Sequence, residues 1–259
     1  KSIEFLRSGR LGEIRLAKAI NHQMRGPIGK AKTEPPPAGV NYDLWLGPAP
    51  SHEFTRNRWH YNWHWFWDYG TGDIGNDGIH QIDVARWGLG VDRPRRITGS
   101  GGQLFYEDDH ETPDTQTIVF EFDGCHLIYE MRLWTDYKLE GHDNGTIFYG
   151  DEGRLEIGRE GCHVFWSHGD IQKIGDSGDL KENTGNFLFC VKENNPQSLN
   201  APIEEGFYSA ALCHLGNIVV RVQNHLQVES RDYNIVNDRS AQALLGREYR
   251  QGYELPAVR

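Results

Sequence analysis

No apolar run in these 259 residues approaches the ~20 needed to cross a bilayer. Long basic runs are missing too, and the formal net charge is −10, which argues against nucleic acid as the main partner. Cysteine is scarce. Cys125, Cys162, Cys190 and Cys213 are widely spaced and form no C-x-x-C, so nothing requires disulfides, and reduced, mostly buried thiols are the default. No G-x-G-x-x-G follows a strand and opens a helix; Gly88-Leu89-Gly90 closes a helix and Gly99-Ser100-Gly101-Gly102 lies amid strands. A P-loop and a G-x-S-x-G nucleophile elbow are also absent. The start, Lys1 to Ile14, has no apolar signal region and no initiator Met. The expectation is a chain that begins inside something longer, cytoplasmic by default, with an export leader on its parent left open.

With 37% hydrophobic and 25% charged residues, the composition is that of a soluble globular chain, enough for one large domain or two small ones. The chain is organised around Trp59 to Leu89. From Trp59 to Trp67 the rings of Trp59, Tyr61, Trp63, Trp65 and Trp67 fall on odd positions, and His60, Asn62, His64, Phe66 and Asp68 on even ones. Read as extended backbone, this alternation puts the odd rings on one face. A turn rich in glycine (Gly70, Gly72, Gly75) leads to a helix over Asp77–Leu89, on which Asn76, His80, Asp83 and Trp87 share a face. A histidine and a carboxylate there, beside many rings, suggest the polar wall of a site for a sugar-like substrate. The blander reading is that the rings are core or subunit interface and that His80 and Asp83 only tie down the helix.

Around this stretch, residues 2–10 read as the tail of a helix with Ile3, Leu6 and Phe5 inward, and 13–20 as a strand. Gly26–Gly39, with four prolines, reads as irregular, and Tyr42–Pro50 as an apolar turn. Strands are expected over 96–105 (broken or bulged at Gly99–Gly102), 116–122, 126–134, 145–149, 154–157 and 163–167, with Asp123-Gly124 as the clearest hairpin. Helices follow over 183–194, 204–223 and 240–247. Consecutive hairpins imply a largely antiparallel sheet. His60 and His64, four apart, could share a zinc ion on a helix, but β-like alternation disfavours one there and no Glu follows His60; no metal site is expected. His22, His52, His110, His126, His142, His163, His168 and His225 read as surface or hydrogen-bonded histidines, and His214 as a satisfied core histidine.

Four phrases together carry a resemblance: Glu4–Ile14, Tyr42–Pro50, Gly75–Trp87 (roughly D-x-G-x-H-x-x-D-x-x-R-W) and Leu212–Ile218. They resemble the Gfo/Idh/MocA oxidoreductases over nearly the whole chain. The resemblance implies an α+β fold: a large open, mostly antiparallel β-sheet with helices packed on one face, the other face meeting a second copy in a homo-oligomer. Residues 1–10 would be the remnant of the last helix of a nucleotide-binding domain, and residues 11–259 the substrate, catalytic and oligomerisation domain. NAD or NADP would serve the full-length parent and none would bind tightly to this chain alone. His80 matches the family's catalytic histidine, a base suited to neutral pH. Asp83 matches the second acidic position. Asn76 stands where the family usually has Asp, and an amide cannot relay protons. Arg58, His60, Trp63, His64, Trp65 and Asp77 would line a pocket for a carbohydrate or cyclitol, with no nucleic acid and no membrane as partner. A non-redox sugar-binding or oligomerisation module remains the alternative.

Overall fold

Period-2 alternation builds the sheet that dominates the chain. The computed structural model describes residues 1–176, 180–229 and 232–256. In chain order its elements are α1 (Ser2–Arg7), β1 (Leu16–His22), α2 (Tyr42–Leu46), α3 (Ile79–Leu89), β2 (Arg96–Gly102), β3 (Thr115–Glu121), β4 (His126–Arg132), β5 (Asn144–Gly150), β6 (Gly153–Gly158), β7 (Gly161–Trp166), β8 (Ile171–Gly175), α4 (Leu180–Lys192), α5 (Ile203–Val222), β9 (Leu226–Gln227) and α6 (Arg239–Ala243). The strands form one nine-stranded sheet, β8-β7-β6-β5-β1-β4-β3-β2-β9. Pairing is antiparallel except between β1 and β4. This is the open, mostly antiparallel α+β architecture expected.

One face carries the core. Ala17, Ala19, Leu127, Tyr129, Ile118, Phe120, Phe148, Leu155 and Val164 alternate inward and are fully buried. Helices α3 and α5 lie on this face. Gly88 lets α3 approach closely, because a Cβ there would run into the ring of Phe148. Burying such a ring contributes roughly 1.5–3 kcal/mol. Ile3, Phe5 and Leu6 of α1 join the same core, so this short helix is bound to the sheet domain. No helix among the described residues is long and apolar enough to cross a membrane.

The other face is mixed, with Ile20 and Ile147 fully buried there beside charged groups. Lys18 sits between Glu130 (3.0 Å) and Glu140 (2.6 Å), the latter on a segment after β4 that folds across the strands. Burial opposes the charge on Lys18, but those two carboxylates hold its pKa above the usual value. His22 is buried here with both ring nitrogens lacking a hydrogen bond, against the expectation of a surface or bonded histidine.

Three local readings are corrected. The aromatic run is not extended: His60–Trp65 is a 3₁₀ helix, so the odd-position rings do not share a face. Trp65 is buried in the core while Trp63 and Tyr61 are exposed. Tyr42–Leu46 is a helix rather than a turn, started by the Asn41 side chain accepting from the Leu44 N–H. Strand β2 pairs without a break through Gly102. Strands β8 and β9, short edge strands, were not expected.

Candidate active site

Three side chains at the end of β1 define the site. The chain runs on beside β4 past His22, with the Gln23 and Arg25 N–H groups donating to Arg132 and Leu133 carbonyls. Alternation therefore places Asn21, Gln23 and Arg25 on the helix-bearing face. Opposite them the loop Gly70–Asp73 feeds a single π turn, Ile74–Gly78, that runs into α3. Such turns insert an extra residue and re-aim side chains. Gly78 presses on Tyr129, where no Cβ would fit.

The result is a polar floor under the start of α3. Asp73, 1% exposed, accepts from Asn21 Nδ2 at 2.8 Å and Asn76 Nδ2 at 3.0 Å. It pairs with Arg25 Nη2 at 3.0 Å. Asp77 accepts on Oδ2 from Gln23, from Asn144 Nδ2 at 3.0 Å and from Arg25 Nη2 at 3.4 Å. Burial, then the neighbouring Asp73 charge, raises the Asp77 pKa above the ordinary carboxylate value, while Arg25, His80 and Arg159 act the other way. The same two carboxylates hold Arg25 charged against its own burial. A buried charge is stable only when paired and hydrogen-bonded, and both acids meet that condition.

A shelf of rings borders the floor. Arg25 Nη1 donates to the Tyr61 hydroxyl at 3.2 Å. The Tyr61 ring lies 4.6 Å from His64, and His64 stacks on Trp63 with centroids 4.0 Å apart and planes 13° apart. These three rings are reachable from solvent: Tyr61 is 53% and Trp63 38% exposed, and His64 is half-buried. His80 is exposed above the floor.

The expected residues therefore separate. Asn76, Asp77, His80, Trp63 and His64 gather around the floor, joined by Asn21, Gln23, Arg25, Tyr61, Asp73 and Asn144. Asp83 does not join them; it takes a hydrogen bond from Ser209 of α5 and lies 3.8 Å from Arg86, so it ties two helices together. Trp65 is sealed in the core against His110. Arg58 lies over Phe66 at 4.6 Å, in the aromatic cluster with Tyr69. His60 has φ +52° and turns its ring to Trp59. His60 and His64 thus engage different neighbours, and no group of three His, Cys, Asp or Glu among the described residues is placed to hold a metal. The floor is open rather than an enclosed hollow. A cleft of about 890 Å³ lies elsewhere, between Trp67–Thr71, α5 and Leu244–Arg247. It includes none of the expected residues apart from His214, which is exposed and so is not a core histidine.

The comparisons fit this geometry. The model of the C-terminal alpha/beta domain of an oxidoreductase family, Gfo/Idh/MocA, matches residues 26–255. No curated protein matches. Among solved structures, an oxidoreductase from Thermotoga maritima superimposes with TM-score 0.62 at 13% identity, covering 86% of this chain and 58% of that one. An aldose-aldose oxidoreductase from Caulobacter crescentus, complexed with glycerol, gives 0.60 at 12% identity, with 88% and 59% covered. The WlbA dehydrogenase from Bordetella pertussis, in complex with NADH and UDP-GlcNAcA, gives 0.56 at 14%, with 88% and 58% covered. At these identities the likeness is one of fold, and the chain spans under two thirds of the length of each.

Proposed function

The chain belongs to the Gfo/Idh/MocA oxidoreductase family, as its C-terminal alpha/beta domain, and on that premise we propose that it is the substrate-binding and catalytic domain of an NAD(P)-dependent oxidoreductase acting on a sugar or cyclitol hydroxyl. One observation carries the reading: the polar floor of Asp73, Asn76, Asp77 and Arg25, with a solvent-facing ring shelf beside it and His80 above. A polyol needs such a pairing, because its hydroxyls seek acceptors and donors while its C–H face stacks on rings. Asn76 donates its Nδ2 inward to Asp73, which leaves Oδ1 to accept a substrate hydroxyl. His80 takes the proton of the reacting hydroxyl as general base. The carbohydrate-related neighbours are consistent with this substrate class.

The described residues do not fit the dinucleotide. The glycine-rich loop before α3 follows 3₁₀ turns rather than a strand, and Gly75 and Gly78 close on Thr71 and Tyr129, so their backbone is not presented to a pyrophosphate. In the proposal NAD or NADP, the hydride acceptor, is held by another domain of the parent protein. The test is a panel of neutral sugars and cyclitols offered to the full-length parent with NAD or NADP. Reduction of nicotinamide supports the reading, and glycoside cleavage dependent on the nucleotide would mark the oxidation as transient. Binding of polyols with no nucleotide-dependent turnover on any of them would favour the non-redox module.

A further inference from the structure

We infer that the cleft on the outer side of α5 is a second binding site, for a small molecule that carries a carboxylate or phosphate on a ring body. Arg221 and Arg247 receive the anion, and Trp67 and Tyr249 flank the ring. No residue of the polar floor lines this cleft, and its chemistry is independent of His80.

The cleft follows from the two sides of α5. Ser209 and Gly216 turn inward: Ser209 bonds to Asp83 of α3, and a Cβ on Gly216 would press on Ile74 and Ile118 of the core. Phe207, Ala211, His214, Ile218 and Arg221 recur at spacings of four and three, so they share the other side, and all five line the cleft. Two segments, 67–71 and 244–247, wall this side. Both are fastened. Asn217 Nδ2 donates to the Thr71 carbonyl at 2.7 Å, and Arg247 Nη2 donates to the Asp68 carbonyl at 3.0 Å. The second bond joins one wall to the other. The space they enclose is about 890 Å³, within the roughly 300–1,000 Å³ of sites for small molecules.

The charged groups inside favour an anion. The Arg221 guanidinium carbon lies 5.0 Å from the Trp67 ring centroid, and that of Arg247 lies 6.0 Å from Tyr249. Among the described residues neither arginine is ion-paired; their partners are these rings and the Asp68 carbonyl. A guanidinium beside a ring keeps N–H donors at its edge, in the fork that matches a carboxylate or phosphate. Of the acids in the lining, Asp68 is engaged by His52 at 2.6 Å and Asp232 is exposed. The polar floor offers an anion one guanidinium already bonded to two carboxylates. The cleft offers two guanidiniums bonded to none.

The test is titration calorimetry on this chain, with no nucleotide present. The probes are phenyl phosphate and indole-3-acetate, each beside its neutral counterpart, phenol or indole-3-acetamide. The expected result is that the acids bind more tightly than their counterparts. Arg221→Gln and Arg247→Gln should each weaken the acids roughly 10–100-fold, as loss of a hydrogen bond to a charged group does. Arg221→Lys, which keeps the charge, should recover part of that loss. Binding of one acid alone supports the site and identifies its anion as phosphate or carboxylate. No binding of either acid, equal affinity for acids and neutral counterparts, or acid affinity unchanged in both glutamine variants would overturn the inference. Both arginines are exposed, so the variants should keep the fold, which far-UV circular dichroism verifies.

Discussion

The side-chain amide of Asn76 donates to the carboxylate of Asp73 across 3.0 Å. An amide held this way can offer only its oxygen outward. The candidate site thereby offers an acceptor at position 76, and its partly exposed carboxylate is Asp77.

Asp73 is the keystone of that arrangement, and its removal should be costly. Asp73→Ala leaves Arg25, 18% exposed, with the more distant Asp77 as its one remaining carboxylate among the described residues. Breaking a buried pair costs about 3–5 kcal/mol. Urea unfolding of this chain should show a loss of that order, and a loss below about 0.5 kcal/mol, the range of ordinary surface changes, would mean that the pair does not hold the floor.

His22 should make the protein sensitive to mild acid. Burial, then Arg132, push its pKa down to about 4 from 6.5, with Glu130 pulling back and Lys18 adding a smaller push. A base depressed in the folded state favours folding above its unfolded value. That contribution is present above pH 6.5 and is lost as pH falls from 6.5 toward 4, amounting to on the order of 3 kcal/mol. Glu130, Glu140 and Glu156, all lowered, lose theirs only below the carboxylate value of 4.5. Asp77, raised, has the opposite sign and loses its contribution as pH rises through its folded value. His22→Leu should flatten the decline between pH 6.5 and 4 in chemical denaturation, and an unchanged slope would remove His22 as its cause.

Gly78 should tolerate no side chain. A Cβ there would overlap the Tyr129 hydroxyl, and Tyr129 is fully buried. Gly78→Ala should destabilise by about 1–3 kcal/mol, the usual cost of overpacking. It should also disturb Asp77, next to it in the π turn. Thermal unfolding with the Asp77 carboxyl signal as second readout checks both; an unperturbed protein would show that the turn has room to spare.

This chain alone should bind NADH weakly or not at all, since its glycine-rich loop is closed on Thr71 and Tyr129. Titration with NADH, followed by fluorescence, measures this, and micromolar affinity would show that a nucleotide cradle exists among these residues.

Much of the fold was legible in the sequence. Alternation in β3 and β4, joined by Asp123-Gly124, gives a hairpin that pairs in full register. Strand β8 was not legible, because Ile171 to Gly175 has no fully buried residue and only Ile174 packs against the core, too little to leave a pattern. The aromatic run misled for a physical reason. Alternating rings imitate a strand, yet Trp65 is buried against His110 and Trp63 remains outside, a separation made by a 3₁₀ turn. Of the site, His80, Asn76 and Asp77 could be read from one helix motif. Asn144 could not, since it comes from the start of β5, and only the sheet brings it to Asp77. Asn21, Gln23 and Arg25 did leave a signal, three polar residues at alternate positions continuing a strand. Asp83 shares the sequence motif with His80, and spacing did not show that its Oδ1 accepts from Ser209 of α5.

The most direct measurement is turnover of the full-length parent carrying His80→Ala, with a neutral sugar or cyclitol that the wild type oxidises. Loss of a general base typically costs 10²–10⁴-fold. The account expects kcat to fall by roughly that factor while thermal stability stays that of the wild type, because His80 is exposed and holds no core contact. Wild-type kcat in the variant would contradict it and remove His80, and the polar floor beneath it, from the chemistry.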